Sequence, residues 1–289
     1  MSMDKGFKGW TSGLLGVLIF SGSLPATRIA VATFDPIFVT LARAAIAGVL
    51  AALILLLLRQ PWPARSDNRA LLLVALGVVV GFPLLTALAL RHVSSAHATV
   101  FVGLLPMATV IFSVLHGDKN PRFLFWLFSL LGSLVVAGFA MGQGISVSTI
   151  DDLLMLAAII VCGLGYAEGA RLARSMGGWQ VICWALVLSL PLMLPLCLWT
   201  LPANIQQAAW PALLSLGYVS LFSMLLGFFF WYRGLALGGI ASISQLQLLQ
   251  PFFGLGLAAA LLGEHVSTMM ILSALAVALC VVGARRFAS

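Results

Sequence analysis

Charge is what this chain has least of. Only 8% of its 289 residues are Asp, Glu, Lys or Arg, against roughly 25% in a soluble domain. With 62% of the residues hydrophobic, no water-soluble fold of this length could cover its apolar surface, so lipid must be the solvent. The eight acidic residues stand near the ends of apolar runs, which leaves no carboxylate for the middle of a bilayer. Cys162, Cys183, Cys197 and Cys280 lie inside apolar runs and lack metal-site spacing. They read as small core residues, and neither disulfide, metal nor cofactor is expected. The net charge of +7 comes from basic residues scattered over short loops. No aromatic-interleaved patch accompanies them, which argues against a nucleic-acid partner.

What is present is a succession of apolar runs of bilayer length. They fall near 10–32, 36–58, 70–90, 95–115, 122–142, 151–170, 178–200, 210–232, 240–262 and 267–285. The first is too long for a cleaved signal, and Arg28 sits where a mature domain would begin, so it reads as a span. Basic residues set the orientation. With the N-terminus cytoplasmic, 12 of the 15 Lys and Arg face inward: Lys5, Lys8, Arg59, Arg65, Arg69, Lys119, Arg122, Arg171, Arg174, Arg233, Arg285 and Arg286. The outer segments 143–150, 201–209 and 263–266 contain neither Lys nor Arg. The expected fold is therefore all-α and integral to the membrane, with ten transmembrane helices and both termini cytoplasmic.

A repeat runs through these spans. Pro251 lies mid-span in the ninth, followed by Gly263-Glu264; Pro106 lies mid-span in the fourth, 145 residues earlier, followed by Gly117-Asp118. A mid-helix proline lacks an N–H and clashes with the carbonyl four residues back, so both helices should bend, freeing the carbonyls of Val102 and Gln247. Five spans per half, 1–142 and 151–289, force the second half to start on the opposite side. The halves are then inverted repeats, with a cavity at their interface near the broken helices.

These residues carry a resemblance. Ala241…Leu249-Gln-Pro251…Leu262-Gly-Glu264 with Val282-Gly283, and more loosely Ala96…Leu105-Pro106…Gly117-Asp118 with Ala137-Gly138, resemble the drug/metabolite transporter superfamily, EamA type. Asp118 stands where that pattern usually has Glu. Within the superfamily the chain looks most like YddG-type exporters of aromatic amino acids. The resemblance implies a multi-pass protein of the plasma membrane (the inner membrane in a bacterium) that moves a small molecule by alternating access.

Several residues are candidates for that role. Ser95, Thr99, Val102, Pro106, Thr109 and Ser113 share one face of the fourth span at 100° per residue, as a cavity wall or as close helix packing. Gln247 and Gln250 are unusual in hydrocarbon and either touch substrate or bond between helices. Arg43 lies about 10 Å into the second span; it pairs with a substrate carboxylate or with freed carbonyls, since an unpaired charge there is costly. Asp35 is too far along the helix to pair with it. Phe82, Phe101, Tyr166 and Trp184 offer flat apolar walls, which with few charges suit a neutral aromatic amino acid. Pro106 and Pro251 are the expected hinges. Arg28 reads as snorkelling outward, Glu168 as a helix-end pair with Arg171, and Trp231, Tyr232 and Arg233 as an interfacial aromatic belt with inside charge. His92 and His97 sit at the outer mouth, in gate or loop roles.

With no midplane carboxylate, downhill transport is expected rather than proton coupling; a proton-coupled efflux pump of the same fold is the alternative. Ser94, Ser95 and His97 form the only nucleophile-and-base grouping, with no acid beside them and no hydrolase motif, so an enzyme is not expected. A non-transporting scaffold would leave the paired prolines without a purpose. The sequence gives no oligomeric state.

Overall fold

The computed structural model describes residues 3–142, 149–254, 256 and 268–288. Among these, every regular element is a helix. Nine helical stretches among them are long and apolar enough to cross a bilayer: Lys5–Thr33, Pro36–Leu57, Arg65–Ala89, His97–Leu115, Phe123–Met141, Thr149–Ala173, Gly178–Trp199, Trp210–Gly238 and Thr268–Arg286. They are crossings one to eight and ten. Crossing nine opens at Ile240 and is helical through residue 254; Leu262, Gly263 and Glu264, which the sequence singles out, lie outside the described residues.

Local chemistry sets the boundaries. The Asp35 carboxylate accepts from the Ile37 N–H at 2.9 Å and caps crossing two, with Pro36 in the first turn where its missing N–H costs nothing. Ser94 Oγ accepts from the His97 N–H at 3.1 Å and opens crossing four. Crossings eight and nine meet at Gly239, whose φ of +85° is a conformation that only glycine adopts without steric cost.

The polar ends sort as the charge bias requires. Gly6, Trp10, Lys119, Arg174 and Arg285 surround one depression, and the Arg122 N–H donates to the Phe287 carbonyl. Both termini therefore lie at the same end as the basic loops. At the other end Arg28 donates to the carbonyls of Leu90 and Arg91, and His92 and His97 meet Asp151 and Asp152. Arg28 does not simply snorkel. It caps the end of crossing three, whose last carbonyls lack helical partners. Between the ends, Leu56, Leu57, Leu134, Leu192, Leu272 and Leu279 point outward and exposed, as lipid-facing side chains do.

The halves interlock. Crossing one packs on eight and crossing three on six; two packs on seven and five on ten. Exchanging the halves maps this set onto itself. Backbone irregularities repeat too. Crossing three widens to a π-helix over Ala75–Gly81, and crossing eight does so over Val219–Leu226, about 145 residues later, the separation of the two prolines. Crossing four breaks at Gly103-Leu104, just before Pro106, and the Ser133 hydroxyl donates to the Gly103 carbonyl at 2.7 Å. Crossing nine tightens to a 3-10 helix over Gln245–Leu249, just before Pro251. Each irregularity leaves backbone groups that only neighbouring protein or water can satisfy in a membrane.

The expected aromatic belt is corrected in part. Trp231 and Tyr232 are fully buried rather than interfacial. Glycines make the room: a Cβ on Gly169 would sit 2.2 Å from the Tyr232 ring, and one on Gly16 would sit 3.1 Å from the Trp231 backbone nitrogen. Close approach through small residues is how helices associate in lipid.

Candidate functional site: a cavity between the halves

A small cavity lies where crossings from both halves converge. Crossing one contributes Phe20, Ser23, Leu24 and Thr27, crossing two Arg43, and crossing three Val78, Phe82, Pro83 and Thr86. Crossing four adds Val102 and Leu105, six Tyr166, eight Ser223 and Phe228, and nine Gln247 and Gln250. Its volume is about 30 Å³, room for a water molecule or two and far below the roughly 300–1,000 Å³ of an occupied ligand pocket. As the described residues define it, the cavity is too small to hold a substrate.

Arg43 is its chemical centre. The side chain is only 4% exposed, yet no carboxylate stands among the described residues of the lining. Its Nη2 donates to Ser223 Oγ at 3.2 Å, and the Ser23 and Ser223 hydroxyls are 2.7 Å apart. Crossings one, two and eight thus meet in one polar chain. Arg43 Nε and Gln247 Oε1 are buried without a hydrogen-bond partner among the described residues, a costly arrangement in an apolar interior. Gln247 Nε2 reaches the Tyr166 hydroxyl only at 3.5 Å, and Gln250 Nε2 donates to the Phe20 carbonyl at 3.1 Å. Phe20 and Phe228 pack with ring centroids 5.0 Å apart, and Tyr166 meets Phe228 edge-on at 5.9 Å. One aromatic wall and one buried cation therefore face the same space.

Of the residues singled out from sequence, Arg43, Phe82, Tyr166, Gln247 and Gln250 line this cavity. Thr99, Phe101 and Trp184 do not. The Thr99 hydroxyl turns back to the Ser95 carbonyl at 2.9 Å, Phe101 lies 5.7 Å from the His97 ring, and Trp184 packs on Trp62 at 4.8 Å. Pro106 and Pro251 stand beside lining residues without lining the cavity themselves. Ser23, Thr27, Thr86 and Ser223 were not legible as site residues, since isolated hydroxyls are ordinary in membrane helices, and Phe228 was not, since it is one of five consecutive aromatic residues in crossing eight.

The two mouths differ. At the inner end a depression of about 400 Å³ runs between crossings four and nine, lined by Val110, Ser113, Asp118, Arg174, Ser242 and Arg285 among others. Asp118 forms paired hydrogen bonds with Arg174 at 3.0 and 3.1 Å and accepts from Ser113 at 2.5 Å. Burial alone would raise the Asp118 carboxyl, but the hydrogen bonds from Arg174 and Ser113 outweigh it and hold it below the ordinary value. Glu168, 2% exposed, pairs with Arg171 at 2.7 Å and with His116 at 3.1 Å. At the outer end His97 Nε2 lies 2.5 Å from Asp152 and His92 Nδ1 lies 3.1 Å from Asp151, tying the start of crossing four and the loop before it to crossing six.

Residues 7–141 and 149–285 each match the EamA-like transporter family. The chain belongs to that family. Two EamA-like matches of five crossings each agree with a ten-helix integral membrane protein whose halves are inverted. The chain is 63% identical over 286 residues to the Bacillus subtilis (strain 168) protein called "Uncharacterized transporter YdeK", with 99% of this chain and all of that protein aligned. A protein of known crystal structure superposes with a TM-score of 0.74 over 97% of both chains at 18% identity, a likeness of fold alone.

Proposed function

We propose that this EamA-like protein moves small neutral aromatic amino acids, or related metabolites, across the membrane by alternating access and downhill. Arg43 carries the reading: a buried guanidinium beside an aromatic wall, in a cavity shared by both halves. Arginine stays charged even when buried, so a ligand carboxylate is the partner that would offset its desolvation. The ring would lie against Phe20, Tyr166 and Phe228. Closure to about 30 Å³ means that one mouth must open before a substrate enters.

Counterflow in proteoliposomes tests this. A panel of neutral amino acids should show exchange of aromatic ones, and Arg43→Ala should weaken it about 10- to 150-fold, the equivalent of one charge-assisted hydrogen bond of about 1.5–3 kcal/mol. Gln247→Ala should weaken it less. Exchange that is unchanged by Arg43→Ala would refute the role of Arg43. A proton-coupled version has one observation in its favour, the buried His97 against Asp152 at the outer mouth. It predicts uptake that collapses without a pH gradient, whereas the downhill cycle predicts uptake that persists.

A further inference from the structure

The charge balance at the central cavity singles out a narrower ligand class. Of the sixteen described residues lining it, Arg43 alone carries a charge at neutral pH, and none is a carboxylate. Among the described residues its hydrogen-bond partner is the neutral Ser223 hydroxyl, and its Nε has no partner. A zwitterion would bring a carboxylate to this cation and an ammonium with it. The site would then still hold one uncompensated positive charge away from water, a costly state. The polar groups left for the ammonium are neutral. The buried Gln247 Oε1 lacks a partner among the described residues and can accept one hydrogen bond, but it supplies no counter-charge. The nearby rings of Phe20, Phe228 and Tyr166 pack tilted or edge-on against one another.

We propose that the cavity selects monocarboxylates with an aromatic or branched apolar body and no α-ammonium group, in preference to the corresponding amino acids. The inference rests on the reading above that Arg43 meets a substrate carboxylate. A monoanion leaves the occupied site neutral: its carboxylate takes the free Nε–H and a terminal N–H of Arg43 as a bidentate pair. The Ser23 and Ser223 hydroxyls and the Gln247 amide remain for a neutral oxygen on the ligand.

Three probes with one body decide it: 3-phenylpropionate, phenylalanine and 2-phenylethylamine. Titration calorimetry on the full-length protein in lipid nanodiscs avoids passive leakage of the free acid through liposomes. The expected result is a Kd for 3-phenylpropionate at least about tenfold below that for phenylalanine, with no binding of the amine, since one unpaired buried charge separates the two complexes. Arg43→Gln should abolish the difference. The wild-type comparison stands alone should that variant fail to fold, and Ser223→Ala, which keeps the charge, should preserve the order. Equal or tighter binding of phenylalanine, or binding of none of the three, overturns the proposal. Phenylalanine bound and exchanged, with 3-phenylpropionate weaker, would sink this inference while leaving the amino-acid reading intact. Binding of 3-phenylpropionate without phenylalanine counterflow would do the reverse.

Discussion

The outer latch offers the sharpest test of how the passage opens. His97 and Asp152 join crossing four of the first half to crossing six of the second, with side chains 5% and 31% exposed. A hydrogen bond to a charged partner contributes about 1.5–3 kcal/mol. Asp152 is nearly a third open to solvent, so the lower end, about 1.5 kcal/mol, applies after screening. Asp152→Ala removes that contact from the closed state alone. The favourable placement of Asp152 in the first turn of crossing six is lost in open and closed states alike and cancels. The open fraction should therefore rise about tenfold. Thr27 lines the cavity, so Thr27→Cys can report access, in a background where Cys162, Cys183, Cys197 and Cys280 are replaced. A membrane-impermeant maleimide applied outside right-side-out vesicles should label the introduced thiol about tenfold faster in the Asp152→Ala protein. Asp118→Ala, which loosens the opposite end, should give no such increase. An unchanged labelling rate in Asp152→Ala would show that this pair does not hold the mouth shut.

Three further outcomes follow from the packing. Gly77→Ala places a Cβ 2.4 Å from the Val161 carbonyl oxygen; crossings three and six must part, at about 1–3 kcal/mol, and the thermal midpoint in detergent should fall, whereas Gly217→Ala, with nothing within 4 Å of the new Cβ, should not lower it. Ser133→Ala leaves the Gly103 carbonyl without that donor and should destabilise by about 1–3 kcal/mol in the same assay. Asp118, held below the ordinary carboxylate value, contributes stability that is complete above that value and is lost as pH falls through its lower folded value. Asp118→Asn should therefore flatten the acid side of a midpoint-against-pH curve.

The crossings were legible because hydrophobic length needs no partner to be read. The charge bias and the paired prolines were equally local, and Arg43 announced itself by being a cation in hydrocarbon. Thr99 and Phe101 lie on the same segment, Ser95–Val102, as the lining residue Val102, and it is the partners these side chains find, the Ser95 carbonyl and the His97 ring, that the sequence does not show. Trp231 and Tyr232 have the composition of an interfacial belt. Glycines on neighbouring helices, Gly16 and Gly169 among them, make the room that turns them inward, and that pairing is invisible along the chain. Ser23 and Ser223 are 200 residues apart and acquire meaning only when crossings one, two and eight meet at Arg43. The π-helical segments share a Gly-Phe pair at their ends, Gly81-Phe82 and Gly227-Phe228, but such a pair is common in membrane helices and does not by itself announce a π turn.

Those segments connect the cavity to its opening. Arg43 stands on crossing two, an unbroken helix from Pro36 to Leu57, whereas Ser223 sits within the π-helical turn Val219–Leu226. A π turn holds one residue more than an α turn, and returning it to α geometry shifts its side chains around the helix axis. Such a shift in crossing eight would carry Ser223 away from Arg43 and leave the guanidinium bare. A bare buried cation is unstable, so the change is favourable only if an anionic group arrives to replace the hydroxyl. A carboxylate makes a charge-assisted pair roughly twice as strong as the neutral contact it displaces. A ligand lacking that group has no differential affinity for the rearranged state and cannot drive it. On the proposed reading the same guanidinium would serve as both the recognition element and the element that ties occupancy to backbone rearrangement, so that its exchange of partners, rather than the size of the cavity, would govern which molecules the passage admits.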